Sequence, residues 1–172
     1  MLIDLAAFRE REAQGLISAR SHPTHDLIIW NYTTQCQYQR AWDEVTMQAR
    51  GLITRADGTI LAKSFPKFFN YGEREIEIPL EPFKVTEKQD GSLGVSYLID
   101  NTPYIATRGS FTSDQAIKAT QILREKYASF QFNPAYTYLF EIIYRENRVV
   151  VDYGNMEDLV LLAVINTETG RV

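Results

Sequence analysis

The chain has 172 residues, is 45% hydrophobic and 23% charged, and carries a formal net charge of −4. That length suits one domain with a real core, and the negative balance excludes a generally basic nucleic-acid coat, so any polyanion must be met by a local cluster of Lys and Arg. The single Cys36 excludes an internal disulfide framework, so no disulfide partner is expected. The longest apolar run, residues 159–165, is too short to span a bilayer, and the N-terminus lacks the basic-then-apolar pattern of a secretory signal, which makes the cytoplasm the expected location.

Ten Tyr and nine Phe, many in alternating runs, lean the chain toward β structure. Residues 5–14 read as a short helix stopped at Gly15. Ser21 to Asp26 is a turn whose two histidines have no third ligand nearby, so a solvated loop is expected there. Leu27 to Tyr32 predicts a strand, and 39–47 a loop-helix segment carrying Trp42. Arg50 to Arg55, then Ala56-Asp57-Gly58, then Thr59 to Ser64 predicts a β-hairpin. It runs into Phe65-Pro66-Lys67-Phe68-Phe69-Asn70, where Lys67 either snorkels over an apolar surface or stands beside a cleft to hold a polyphosphate. Ile76 to Pro82 reads as an extended connection.

The centre of the chain is Glu87-Lys88-Gln89-Asp90-Gly91-Ser92, between the alternating stretches 83–86 and 95–99. Asp-Gly between such runs predicts a tight hairpin. Two readings of Lys88 stand at this point: a turn residue, or a nucleophile at a strand end with its side chain in a cleft. A lysine attacks phosphorus only as the neutral amine, so the second reading requires a site that lowers its pKa by desolvation or by neighbouring cations. Residues 103–110 predict a strand ending in Arg108-Gly109, and Thr112 with Gln115 gives a capping-box pattern. Ala116, Ala119, Leu123 and Tyr127 share one face of an amphipathic helix from Ser113 to about Ala128.

Tyr136 to Tyr144 predicts a strand with Tyr138, Phe140 and Ile142 on a core face and Glu141 alone among apolar residues on the other. A buried lone carboxylate costs several kcal/mol, roughly, unless it is paired or binds a cation. Glu141 is therefore either the partner of an arginine or a ligand for a hard cation in the cleft that holds Lys88. Asn147 to Gly154 reads as another short strand, and 159–166, apolar on both faces, as a central buried one. The fold class expected is α+β, with antiparallel sheets flanked by a few helices.

In this order the segments resemble the ATP-dependent polynucleotide ligases, and within them the phage-type RNA ligase 1 group. That group belongs to the lysine nucleotidyltransferase superfamily, together with DNA ligases and mRNA capping enzymes. Lys88-Gln89-Asp90-Gly91-Ser92-Leu93 is similar to the motif whose lysine takes the nucleotidyl group. Ala49-Arg50-Gly51 and Lys67-Phe68-Phe69-Asn70 resemble the group's two upstream blocks, and Arg108-Gly109-Ser110 its basic residue before Gly-Ser. Phe140-Glu141, with Asn147 to Val150 and Tyr153, resembles the third motif, and 159–170 the next.

The resemblance implies a nucleotidyltransferase (ATP-grasp-like) adenylation domain over residues 1–172, binding ATP between its sheets. Lys88 would attack ATP to give lysyl-AMP. Arg50, Lys67 and Arg108 would neutralise phosphate oxygens, Glu87, Asp90 and Gly91 would shape the nucleotide pocket, and Glu141 would serve Mg²⁺. The AMP would pass to an RNA 5′-phosphate and a 3′-hydroxyl would displace it. The family's domain continues with a further acidic motif and a Lys-x-Lys motif, both beyond Val172, so the resemblance implies a domain truncated at its C-terminus and a partial catalytic unit. The rival readings are a DNA ligase or capping-type enzyme, against which the Lys67-Phe68-Phe69-Asn70 block stands, and a non-catalytic module that binds nucleotide or RNA.

Overall fold

Among the described residues, two four-stranded antiparallel sheets face each other, and a helix covers the outer side of each. The computed structural model describes residues 1–73, 81–83 and 85–172. Its elements begin with α1 (Leu5–Ala13), β1 (Ile17–Ser21), β2 (Leu27–Tyr32), α2 (Thr34–Gln39), α3 (Glu44–Gln48), β3 (Arg50–Arg55) and β4 (Ile60–Ala62). They continue with β5 (Ser92–Ile99), β6 (Thr102–Thr107), α4 (Asp114–Lys126), β7 (Tyr136–Ile143), a 3-10 turn (Arg145–Asn147) and β8 (Asp158–Asn166). The first sheet has the order β1-β2-β3-β4 and the second β6-β5-β7-β8. The α+β class expected from the sequence is what the chain adopts.

Alternation along the strands sorts side chains into three cores. Leu27 and Ile29 of β2, Ile53 of β3, Val95 and Tyr97 of β5 and Leu139 of β7 meet between the sheets. Phe8 of α1 packs with Ile28, Trp30 and Leu52 on the outer face of the first sheet. Its ring meets Trp30 edge-on at 5.2 Å, and the buried Trp30 indole donates to Thr54 Oγ1 at 2.9 Å. On the far side α4 seats Ala119, Ile122 and Leu123 against Ile105, Tyr138 and Phe140. Fully burying a side chain such as Ile122 stabilises the fold by about 1.5–3 kcal/mol.

Several expectations need correction. Asp90-Gly91 is not a hairpin turn: described residues 85–91 are not strand, and β5 begins at Ser92. Its backbone and carboxylate groups are taken by distant residues of the 141–153 region, so the local turn preference is overridden. Residues 148–153 are not a strand for the same reason, since the N–H groups of Val150 and Val151 donate to Asp90 rather than to a ladder. The cap of α4 is Ser113, whose Oγ accepts from Ala116 N at 3.3 Å.

β8 is an edge strand among the described residues, with Leu161 54% and Leu162 39% exposed; sequence reads apolarity, not position in a sheet. Both faces of β7 are buried, because its sheet lies between the other sheet and α4. β1 and α2 carried too little pattern to be foreseen, and the extended connection expected at 76–82 lies largely outside the described residues.

Candidate functional site

The two sheets are brought close at Gly51. Its φ of 78° is one that residues with a side chain rarely adopt, and a Cβ there would stand 3.2 Å from Val95 Cγ2 and 3.4 Å from Arg108 Cα. The β2–β3 pairing shifts register at Trp30/Asn31, opposite this point. The consequence is that Arg50, at the start of β3, and Arg108, just past β6, open onto one cavity of ≈ 490 Å³. Arg20 and Asn31 also line it from the first sheet, and Ser92 and Ser110 from the second. Among the described residues that line it, none is acidic and none is aromatic. In a chain of net charge −4, such walls mark the cavity as a place for an anion.

The arginines are held by neutral groups. Arg108 Nη1 donates to the Tyr32 hydroxyl at 3.0 Å, and its guanidinium lies 4.9 Å from the centre of the Tyr32 ring. Arg50 Nη1 donates to Phe65 O at 3.3 Å, with the guanidinium 5.0 Å from the Phe68 ring. Burial draws the Arg50 pKa down and Arg108 adds to this, while the Tyr32 hydroxyl opposes it. Neither arginine has a carboxylate within ion-pair distance among the described residues. Asn31 Oδ1 is buried in the same wall and lacks a hydrogen-bond partner among the described residues. Such an orphan costs about 1–3 kcal/mol, which the fold tolerates here at the cleft and not in its core.

Next to the cavity, residues 90–92 are stitched to the end of β7 and to the segment 147–153 beyond it. Asp90 N donates to the Tyr153 hydroxyl at 2.9 Å, and Asp90 Oδ2 accepts from Val150 N and Val151 N, both at 2.7 Å. Those two N–H groups hold the Asp90 carboxyl below the usual range. Gly91 N donates to Glu141 Oε1 at 2.8 Å, and Ser92 Oγ to Asn147 Oδ1 at 2.9 Å. A Cβ on Gly91 would lie 2.5 Å from Ile142 O, so only glycine fits so near β7. Glu141 shares the inner face of β7 with Thr137 and Leu139, which points it into the space between the sheets.

The anticipated residues therefore fall into groups. Arg50 and Arg108 line the cavity together. Lys88 and Glu87 are exposed on the segment leading to Asp90, and the Lys88 cation acts on the carboxylates of both Glu141 and Asp90. Lys67 stands apart from the cavity lining: its amine donates to Phe68 O at 2.6 Å and lies over the rings of Phe69 at 4.3 Å and Trp42 at 5.5 Å. Tyr32, Arg20 and Asn31 went unforeseen, because nothing in a strand pattern says that its polar residues face a second sheet. His22 is a packing residue, edge-on to Phe111 at 4.9 Å.

Among the described residues no group of three or more His, Cys, Asp or Glu could hold a metal. Asp90 is committed to backbone N–H groups, while Glu141 gives one oxygen to Gly91 and keeps the other. One carboxylate with waters and the phosphates of a ligand is a set that Mg²⁺ accepts. Burial raises the Glu141 carboxyl, against the Gly91 N–H and the charges of Lys88 and Arg50. The folded chain therefore binds this proton more tightly than the unfolded one, and the associated stability is lost as pH rises through the folded pKa. Glu141→Gln removes the charge and keeps an acceptor for Gly91. It is expected to melt at or above the wild-type temperature at neutral pH, with the two curves converging below about pH 4, which thermal melts across pH would check. A clearly lower melting temperature at neutral pH would make the ionised Glu141 a net structural support.

Comparison with known proteins adds an independent finding. Residues 48–171 match a family model described as RNA ligase. A protein of Autographa californica nuclear polyhedrosis virus, named as a putative bifunctional polynucleotide kinase/RNA ligase, is 30% identical over 183 residues, covering 90% of this chain and 26% of its own length. A protein of Rhodothermus phage RM378 named RNA ligase is 26% identical over 183 residues, covering 81% of this chain and 41% of its own length. The chain thus spans well under half the length of either relative.

Proposed function

From the premise that this chain belongs to the RNA ligase family, and within it to the phage-type RNA ligase 1 group, we propose that it serves as an adenylation domain of the lysine nucleotidyltransferase kind. The observation that carries the reading is the match over 48–171, which contains Lys88-Gln89-Asp90-Gly91 beside an arginine-lined cleft. Lys88 would attack the α-phosphorus of ATP as the neutral amine. A P–N bond forms, the P–O bond to the β-phosphate breaks with pyrophosphate taking the electron pair, and the nitrogen gives up one proton to solvent. Arg50 and Arg108 would face the charge that develops on the phosphate oxygens, which is positioning and electrostatic work. The hydrogen bonds that pin Asp90 and Gly91 would fix the approach of Lys88, two residues upstream. Glu87 would flank the nucleotide. Lys67, caged by aromatic rings, would reach the phosphates only by leaving Phe68 O.

Mg²⁺, when bound, would neutralise phosphate charge, and the free oxygen of Glu141 would hold it or its waters. The AMP would then pass to an RNA 5′-phosphate, from which a 3′-hydroxyl displaces it to seal the strand. Intact mass after incubation with ATP and Mg²⁺ tests the first step. A gain of one AMP, greater with ATP than a GMP gain with GTP, is expected. Tight ATP binding with no covalent adduct would instead make the chain a non-catalytic nucleotide-binding module. A preference for GTP would move it toward the capping-type enzymes.

A further inference from the structure

Arg20 lies outside the segment that matches the RNA ligase model, and no residue of β1 enters the reading above. It lines the cavity, and no acidic side chain stands within ion-pair distance of it among the described residues. We infer that the outer end of the cleft, built on Arg20 with Ser110 and Gln115 opposite, is a second phosphate subsite, distinct from the place beside Lys88 and Glu141. This rests on the adenylation reading for its ligands, though not for its chemistry.

The sheet topology sets the two ends apart. β1 is the edge strand of the first sheet and β6 the edge strand of the second, whereas Glu141 is on β7, beyond β5. With neighbouring strands about 4.7–4.9 Å apart, Glu141 stands two strand spacings, or roughly 9–10 Å, from the line of β6. Arg20 pairs across with Ile29, whose side chain points to the inter-sheet core, so the guanidinium starts from the inner face. Arg20 lines the same cavity as Arg50 and Arg108, and it enters from the edge strand of the first sheet.

The chemistry of that end suits phosphate and little else. Its groups are donors: the Arg20 fork, the Gln115 amide, and the hydroxyl hydrogen that Ser110 retains while its Oγ accepts from Thr112 N at 3.1 Å. Among the described residues that line the cavity there is no ring to stack a base and no carboxylate to repel an anion. A guanidinium offers two parallel N–H donors in a fixed fork to two oxygens of one phosphate, a geometry that the point charge of a lysine does not supply. The phosphates could come from the terminal groups of the nucleotide or from an RNA strand.

The test is calorimetric binding of inorganic tripolyphosphate, AMP, ATP and a 5′-phosphorylated oligoribonucleotide to wild type, Arg20→Ala and Arg20→Lys, in Mg²⁺ at fixed salt, with melting curves to confirm the fold. Arg20→Ala is expected to weaken tripolyphosphate about tenfold and to leave AMP nearly unchanged, with Arg20→Lys between. A matching loss for ATP alone assigns the subsite to terminal phosphates, and a loss for the oligonucleotide alone assigns it to the strand. If Arg20→Ala binds tripolyphosphate, ATP and RNA as tightly as wild type, the subsite does not exist. A wild-type protein that binds no ATP would overturn the adenylation reading, and the tripolyphosphate comparison would still decide the subsite.

Discussion

Replacing Lys88 with alanine is expected to abolish AMP attachment while leaving the fold intact. Lys88 is exposed on an irregular segment and belongs to no core cluster, and no hydrogen bond or ion pair holds its amine among the described residues. The melting temperature should move by no more than a surface substitution does, within about 0.5 kcal/mol of stability. Lys88→Arg is the sharper variant. It keeps the cation that acts on Glu141 and Asp90, but a guanidinium stays protonated and cannot attack phosphorus. Both variants should show no AMP by intact mass, and peptide mapping of the wild-type adduct should place it on Lys88. Label persisting in Lys88→Ala would sink the assignment of the nucleophile.

Gly91→Ala should lose both stability and labelling. The new Cβ would stand 2.5 Å from Ile142 O, a backbone atom of β7 that cannot swing aside, and 3.3 Å from Glu141 Cγ. Either the 90–92 segment lifts away from β7 or the strand shifts, and both break the Gly91–Glu141 hydrogen bond. Overpacking of this kind costs about 1–3 kcal/mol, and at about 2–4 °C per kcal/mol for a chain of this size the melting temperature should fall by several degrees. Adenylylation should fall by more than tenfold, because a misplacement of about 1 Å at a reacting centre can cost about a hundredfold. Gly109→Ala is the stability control: the nearest atom to its Cβ is Asn31 Nδ2 at 3.5 Å, and its melting temperature should hold. Equal melting temperatures for Gly91→Ala and wild type would mean that the 90–92 segment does not sit against β7 in solution.

The residues of the candidate site were legible in large part because charge is written in residue type. Lys88, Arg50, Arg108 and Glu141 stood out as charges next to apolar runs, and the pattern around Glu141 showed a carboxylate on a strand face that should be covered. Geometry then divided them: Arg50 and Arg108 share the cavity, Glu141 faces the inter-sheet space beside Gly91, and Lys67 turns to Phe68, Phe69 and Trp42. Tyr32 could not have been singled out, since as an aromatic residue in a strand it reads as core. Only the approach of β6 turns its hydroxyl into the acceptor for Arg108.

The sequence by itself determined the α+β class, the positions of β2, β3, β5, β7 and α4, and the residue types available for phosphate chemistry. Period-two and period-3.6 patterns are local, and they survive because each strand and helix buries a face whatever its neighbours are. What only the tertiary structure decided is where non-local partners overrule local preference. Asp90-Gly91 carries the strongest short signal for a hairpin, yet the N–H groups of Val150 and Val151 and the carboxylate of Glu141 claim its polar groups instead. β8 is apolar enough for the middle of a sheet but stands at an edge, because apolarity records how much surface wants cover and not which strand supplies it. The cleft belongs to neither sheet alone: it exists because Gly51 lets β3 close on Val95 and Arg108, a contact between residues more than forty positions apart that no local pattern encodes.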